Sequence, residues 1–267
     1  MLHIFIVSLQ KDLVRRAAIS KILNEFNLNF TFIDAVYGKE LSTNYLDSLR
    51  NKSSGKIVDR GFPATPGEIG CTLSHLKAYQ EVLDRGLEWA CILEDDVILD
   101  DRFKRFINEF NSKYLDPTNL YLLGGQHPYS KKYIIKSIKN VKKIGSQNFY
   151  KTIGSKEVIY GTCCYLISSS LAKDLISLGD DELILADDWA YLVKKGIIRS
   201  IYLSDFVQHP IDLTNSHINK EREAGESTKK ALNRPAKLRR RINNSIKWRL
   251  KLQVLKAYRF IERKDRL

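Results

Sequence analysis

No stretch of the sequence approaches the roughly 20 consecutive apolar residues that a membrane-spanning helix requires, so no transmembrane segment is expected. The apolar run Leu2 to Leu9 is short, follows no basic segment and precedes no small-residue cleavage site, so it reads as a strand and not as a signal peptide. Cysteine is scarce: Cys71, Cys91, Cys163 and Cys164 among 267 residues, with no Cys-x-x-Cys pair. A disulfide framework and a cysteine zinc site are both unsupported, and a reducing, cytoplasmic setting is expected. The chain also lacks internal repeats. Its composition does not exclude a large core, because 43% of residues are hydrophobic and 28% are charged.

Charge is distributed unevenly. Between Ile218 and Leu267 there are 17 basic and 5 acidic residues, which supply +12 of the chain's formal +13. Residues 1–217 are therefore a nearly neutral body, and residues 218–267 are a basic helical tail. Within the tail, Ile242, Ile246, Leu250 and Val254 form an i,i+4 row, whereas Trp248 and Leu252 fall elsewhere on the wheel. Such a segment suits an anionic membrane surface. The same basic residues, interleaved with Trp248, Tyr258 and Phe260, also permit a nucleic-acid reading.

The body opens as strand, helix, strand. Leu2 to Val7 is nearly continuously apolar, Leu13, Ala17, Ile22, Leu23 and Phe26 follow helical spacing, and Phe30 to Ile33 forms a second strand. This βαβ unit predicts an α/β fold whose ligands sit beyond the strand ends, here Ser8-Leu9-Gln10 and Asp34-Ala35. Residues 35–64 read as a long loop. Thr65 and Glu68 form a capping box with Pro66 at the first helical position, and Ser74 and His75 lie two turns further on. Trp89 to Leu93 is a third buried strand. A helix over Asp101 to Tyr114, a strand at Leu120 to Leu123, a Lys-rich hairpin or flap over 126–157, and an apolar run from Tyr160 to Ile167 follow.

Leu93-Glu94-Asp95-Asp96-Val97 carries the strongest chemical signal. Three consecutive carboxylates ending a buried strand repel one another, and a divalent cation is the natural compensation; the alternative is that Asp95 and Asp96 cap a turn. Glu94 and Asp96 share a face by strand periodicity. Arg15 and Arg16 stand near the first strand end, within reach of an anionic ligand or as an ordinary solvated face. In Asp187-Asp188-Trp189 a carboxylate is either a helix N-cap or a general base. Gly161-Thr162 permits close backbone approach to a ligand, or only a bend. His209 and His217 are late candidates for a metal ligand.

Taken in order, Val7-Ser8-Leu9 with Arg15-Arg16, Phe32 to Ala35, Gly67 to His75, Ile92 to Val97 and Tyr160 to Ser168 resemble one family over about residues 4–215. It is glycosyltransferase family 25, which contains bacterial lipopolysaccharide and lipooligosaccharide enzymes and collagen galactosyltransferase domains. The resemblance implies a GT-A-type, single Rossmann-like domain with a mostly parallel central sheet. It implies inverting transfer of a hexose, most often galactose from UDP-galactose, in β-1,4 linkage to a terminal sugar of the oligosaccharide. Mn²⁺ or Mg²⁺ would hold the donor at an Asp-x-Asp-like motif, which here reads Glu94-Asp95-Asp96. Donor-side candidates are Ser8, Leu9, Arg16, Asp34, Ser74, His75, Glu94 and Asp95. Asp96, Glu94 and His209 are the candidates for the cation, and Asp188 is the candidate base with Asp187 behind it. A lipid-linked oligosaccharide acceptor would place the enzyme at the cytoplasmic face of the bacterial inner membrane, with the tail on its anionic lipids and no nucleic-acid partner.

Overall fold

A computed structural model describes residues 2–210, together with Leu250, Gln253, Val254 and Ala257. The basic tail and His217 lie otherwise outside the described residues. The strands are β1 (His3–Ser8), β2 (Phe30–Asp34), β3 (Trp89–Glu94), β4 (Leu120–Gly124), β5 (Lys136–Ile144), β6 (Gln147–Thr152), β7 (Cys164–Ser168) and β8 (Ile201–Val207). The helices are α1 (Leu13–Glu25), α2 (Thr43–Arg50), α3 (Lys56–Arg60), α4 (Pro66–Asp84), α5 (Asp101–Asn108), α6 (Pro128–Lys131), α7 (Ser169–Asp181) and α8 (Trp189–Lys195). Among the described residues no helix is long and apolar enough to cross a membrane.

All eight strands join one sheet in the order β2-β1-β3-β7-β4-β8-β6-β5. The α/β domain is as expected, but the sheet is mixed and not mostly parallel. β1 pairs in parallel with β2 and β3, and β4 with β8, whereas β7 runs antiparallel between β3 and β4, and the β5–β6 hairpin adds an antiparallel edge. Pleating sends alternate residues to opposite faces. Ile4, Ile6, Cys91 and Leu93 pack on one side with Ile19, Leu23, Phe103 and Phe106 from α1 and α5. Phe5, Ala90 and Ile92 pack on the other with Ala78 and Val82 of α4, Leu171 and Leu175 of α7, and Trp189 of α8. This two-sided burial explains why β1 and β3 read as unbroken apolar runs.

The capping box of α4 is present in both directions, the Thr65 side chain accepting from the Glu68 amide and Glu68 accepting from the Thr65 amide. Residues 35–64 are not one loop. They hold α2, capped by the Ser42 side chain, and the five-residue α3, with Leu46 and Ile57 as their buried residues. The helix expected to reach Tyr114 ends at Asn108. The start of α4 lies so close to the chain after β2 that a Cβ on Gly38 would stand 1.7 Å from the Pro66 carbonyl oxygen. One on Gly70 would stand 2.5 Å from the carbonyl oxygen of Val36. This backbone-to-backbone contact fixes Val36 to Gly38 at the ends of β1 and β2, where the first cleft opens.

Candidate active site

Two chain segments converge beyond the C-terminal end of β3. Glu94 closes the strand, and Asp96 follows in the next turn. After β8, Gln208 and Ile98 exchange backbone hydrogen bonds, which brings His209 opposite Asp96. His209 Nε2 stands 3.7 Å from Glu94 Oε2 and 3.4 Å from Asp96 Oδ1. Its Nδ1 pairs with the Pro210 carbonyl at 2.8 Å. A carbonyl only accepts, so Nδ1 carries a proton, and Nε2 is the ring nitrogen that faces the two carboxylates.

These residues fit a divalent cation. One ligand atom from each of Glu94, Asp96 and His209 lies within 4.8 Å of the others. Asp96 Oδ1 is buried and has no hydrogen-bond partner among the described residues, so it is an acceptor that these residues leave unsatisfied. Burial, and next the neighbouring Asp96, push the Glu94 carboxyl up to about 7. Two carboxylates and an imidazole suit Mn²⁺ better than Mg²⁺, which prefers all-oxygen surroundings. Since a ligating carboxylate must be ionised, Mn²⁺ affinity should rise from about pH 5.5 to about pH 8 as Glu94 loses its proton. A titration calorimetry series across that range checks this, and a flat profile would contradict it.

Asp95, the middle acid, is engaged elsewhere. Ser8 Oγ donates to its Oδ2 at 2.6 Å, and Arg15 Nη1 donates to its Oδ1 at 3.1 Å and to Asp96 Oδ2 at 3.4 Å. Asp95 therefore locks β1 to β3 and orients Arg15. Arg16, expected to meet the donor, points back into the protein. Its Nη2 donates to the Ser8 carbonyl at 2.8 Å and to Asp34 Oδ1 at 2.6 Å, and its Nε to the Leu9 carbonyl at 3.2 Å. Neither Arg16 nor Asp34 lines the cleft; both tie strand ends together, and of the two arginines it is Arg15 that lines it.

Two clefts meet at this cluster, sharing Glu94, His209 and Cys71. The first, of about 200 Å³, takes in Ser8, Leu9, Arg15, Tyr37, Lys39 and Ser74. Ser74 is buried and accepts from the Val36 amide at 2.8 Å while donating to the Gly70 carbonyl, so it shapes the wall. His75 reaches the same wall but belongs to the core. Burial holds its pKa down to about 4, and its Nδ1 is paired with the Tyr165 hydroxyl at 2.7 Å. It is a neutral ring at pH 7. The second cleft, of about 380 Å³, is lined by Gln126, His127, Tyr160, Gly161, Thr162 and Asp187 among others, with no lysine or arginine among the described residues. Gln126 and His127 follow the C-terminal end of β4, so the strand-end rule that located Ser8 would have found them too.

The two candidate bases lie in different surroundings. Asp188 is 1% exposed, caps α8 by accepting from the Tyr191 amide, and accepts from the Lys56 amide at 2.6 Å. It does not line the second cleft. Asp187 does, and its Oδ2 is held by the Gly161 amide at 3.0 Å.

Comparison with known proteins gives this geometry a family. Residues 1–190 match the model of glycosyltransferase family 25 (LPS biosynthesis protein). Human procollagen galactosyltransferase 2 is 31% identical over 181 residues, covering 65% of this chain and 27% of that protein. Procollagen galactosyltransferase 1-B of Xenopus laevis is 36% identical over 105 residues, 39% of this chain and 17% of that protein. The mouse inactive glycosyltransferase 25 family member 3 matches equally well, 36% identical over 105 residues, with 39% of this chain and 18% of that protein covered. This chain thus spans less than a third of the length of these curated relatives. A crystal structure of a glycosyltransferase involved in glycosylating the major capsid of PBCV-1 aligns over 85% of this chain and 98% of that one. Its identity is 11% and its TM-score 0.43. His209 lies beyond the matched span. The chain belongs to glycosyltransferase family 25.

Proposed function

We propose that the chain is a divalent-cation-dependent, inverting glycosyltransferase that moves a hexose, galactose foremost, from a UDP-sugar to a glycan hydroxyl. The carrying observation is the Glu94–Asp96–His209 cluster at the junction of two clefts. The first cleft, where Arg15 and Lys39 stand beside the cluster, suits the anionic nucleotide diphosphate; the second, with no lysine or arginine among the described residues, suits a neutral sugar acceptor.

Glu94, Asp96 and His209 would hold Mn²⁺, which offsets the charge gathering on the departing diphosphate. Arg15, already oriented by Asp95, adds a second positive charge on that side. Asp187 takes the proton from the acceptor hydroxyl as its oxygen bonds to the anomeric carbon and the bond to the diphosphate breaks. The sugar passes through an oxocarbenium-like transition state, and attack opposite the leaving group inverts the centre. Gly161 holds one Asp187 oxygen, which leaves the other for the acceptor.

The preferred acceptor is a terminal sugar of a lipid-linked oligosaccharide, joined β-1,4. The tail's 17 basic residues would hold the enzyme at an anionic inner-membrane surface, at ~1 kcal/mol for each one near the lipid. A screen of UDP-sugars for release of UDP tests the function without knowledge of the acceptor. We expect slow hydrolysis, fastest with UDP-galactose, that needs Mn²⁺ and stops with chelator. Absence of release from every UDP-sugar would place the chain with the inactive relatives.

A further inference from the structure

We propose that Thr162 is a positioning residue for the divalent cation, and that Gly161 and Thr162 together tie the cation site to the general base. The inference rests on the function proposed above. The Glu94 amide donates to the Cys163 carbonyl at 3.0 Å, which carries the β3–β7 ladder one step past the Leu93–Cys164 pair. Thr162 is thereby set across from the end of β3. It is 4% exposed, so its hydroxyl must find a partner inside the protein, and it donates to Glu94 Oε1. With that oxygen held, Oε2 is the one that faces His209 Nε2.

The neighbouring residue serves the other half of the site. The Gly161 amide holds Asp187, and its carbonyl accepts from Trp189 Nε1 at 3.1 Å. Gly161 has φ +90°, a conformation that suits glycine and lets consecutive residues engage two different carboxylates. In front of it, the Tyr160 carbonyl accepts from Gln126 Nε2 at 2.8 Å and the Tyr160 amide donates to Gln126 Oε1 at 3.3 Å. The strap is therefore pinned on both sides, and one short segment sets both the cation ligand and the base.

A plainer role, in which Thr162 merely satisfies a buried carboxylate, would affect folding but not cation affinity. Loss of a hydrogen bond that orients a metal ligand typically costs about 10–100-fold in affinity. The test is Mn²⁺ binding by calorimetry on the full chain, without donor, for the natural protein, Thr162→Val and Thr162→Ser, with folding followed by circular dichroism. Thr162→Val should bind Mn²⁺ about 10-fold more weakly or worse, and saturating Mn²⁺ should restore its turnover. Thr162→Ser keeps the hydroxyl and should bind like the natural protein. Thr162→Ala replaces the valine variant if that one does not fold. Unchanged affinity in the hydroxyl-free variant, or equal losses in the serine and valine variants, would overturn the inference and leave the proposed function standing. Failure of the natural protein to bind Mn²⁺ would overturn the function itself.

Discussion

Asp187→Asn is expected to lower turnover by about 10²–10⁴-fold, the range typical for loss of a general base, while Mn²⁺ and UDP still bind. Asp187 faces the second cleft and its carboxylate is oriented by the Gly161 amide. Asparagine keeps the shape and the hydrogen bond but cannot take a proton. Asp188→Asn should behave differently. Its carboxylate is buried between the Lys56 and Tyr191 amides, with the Lys56 ammonium 3.9 Å away. Neutralising it removes charge-assisted bonds from the α3–α8 junction, so the melting temperature should fall while turnover per folded molecule stays close to normal. Single-turnover kinetics with thermal melts on both variants decide the matter. A folded but inactive Asp188→Asn beside an active Asp187→Asn would return the role to Asp188.

Asp96→Asn should be at least as damaging, with turnover down about 10³-fold or more at any Mn²⁺ concentration. Asp96 contributes the buried oxygen that no donor among the described residues satisfies, and it sits 3.4 Å from His209 Nε2. Its neighbour provides an internal control. Both oxygens of Asp95 are bonded within the protein, to Ser8 and Arg15, so Asp95→Asn should cost stability and arginine placement before cation affinity. Steady-state rates for the two variants over a Mn²⁺ series separate them, and equal losses that Mn²⁺ rescues in both would contradict the assignment.

Much of this was legible in the residues because the signals are local. The β1–α1–β2 unit, the capping box at Thr65 and Glu68, and the acidic end of β3 all lie where pattern and turn chemistry put them. The cluster itself could be proposed, since Glu94 and Asp96 share a face and His209 was a candidate. Choices between adjacent residues were not legible. Whether Arg15 or Arg16 faces the ligand depends on how α1 is rotated against the sheet, and the rotation turns Arg16 onto Asp34. Which of Asp187 and Asp188 caps α8 depends on one backbone turn, closed by the Asp188 amide on the Leu185 carbonyl. The insertion of β7 between β3 and β4 is a long-range pairing that leaves no period in the sequence, and with the β5–β6 edge it makes the sheet mixed. The helices α2 and α3 escaped notice because each is short and buries a single side chain, too little for an apolar stripe.

The cation site bears the weight of the whole account, and Mn²⁺ titration followed by electron paramagnetic resonance, with UDP present, addresses it directly. The natural protein should take up Mn²⁺ at a site that Asp96→Asn and His209→Ala each remove, with their folds intact. Undiminished Mn²⁺ uptake by both variants would show that the ion, if it acts at all, is held somewhere other than between Glu94, Asp96 and His209.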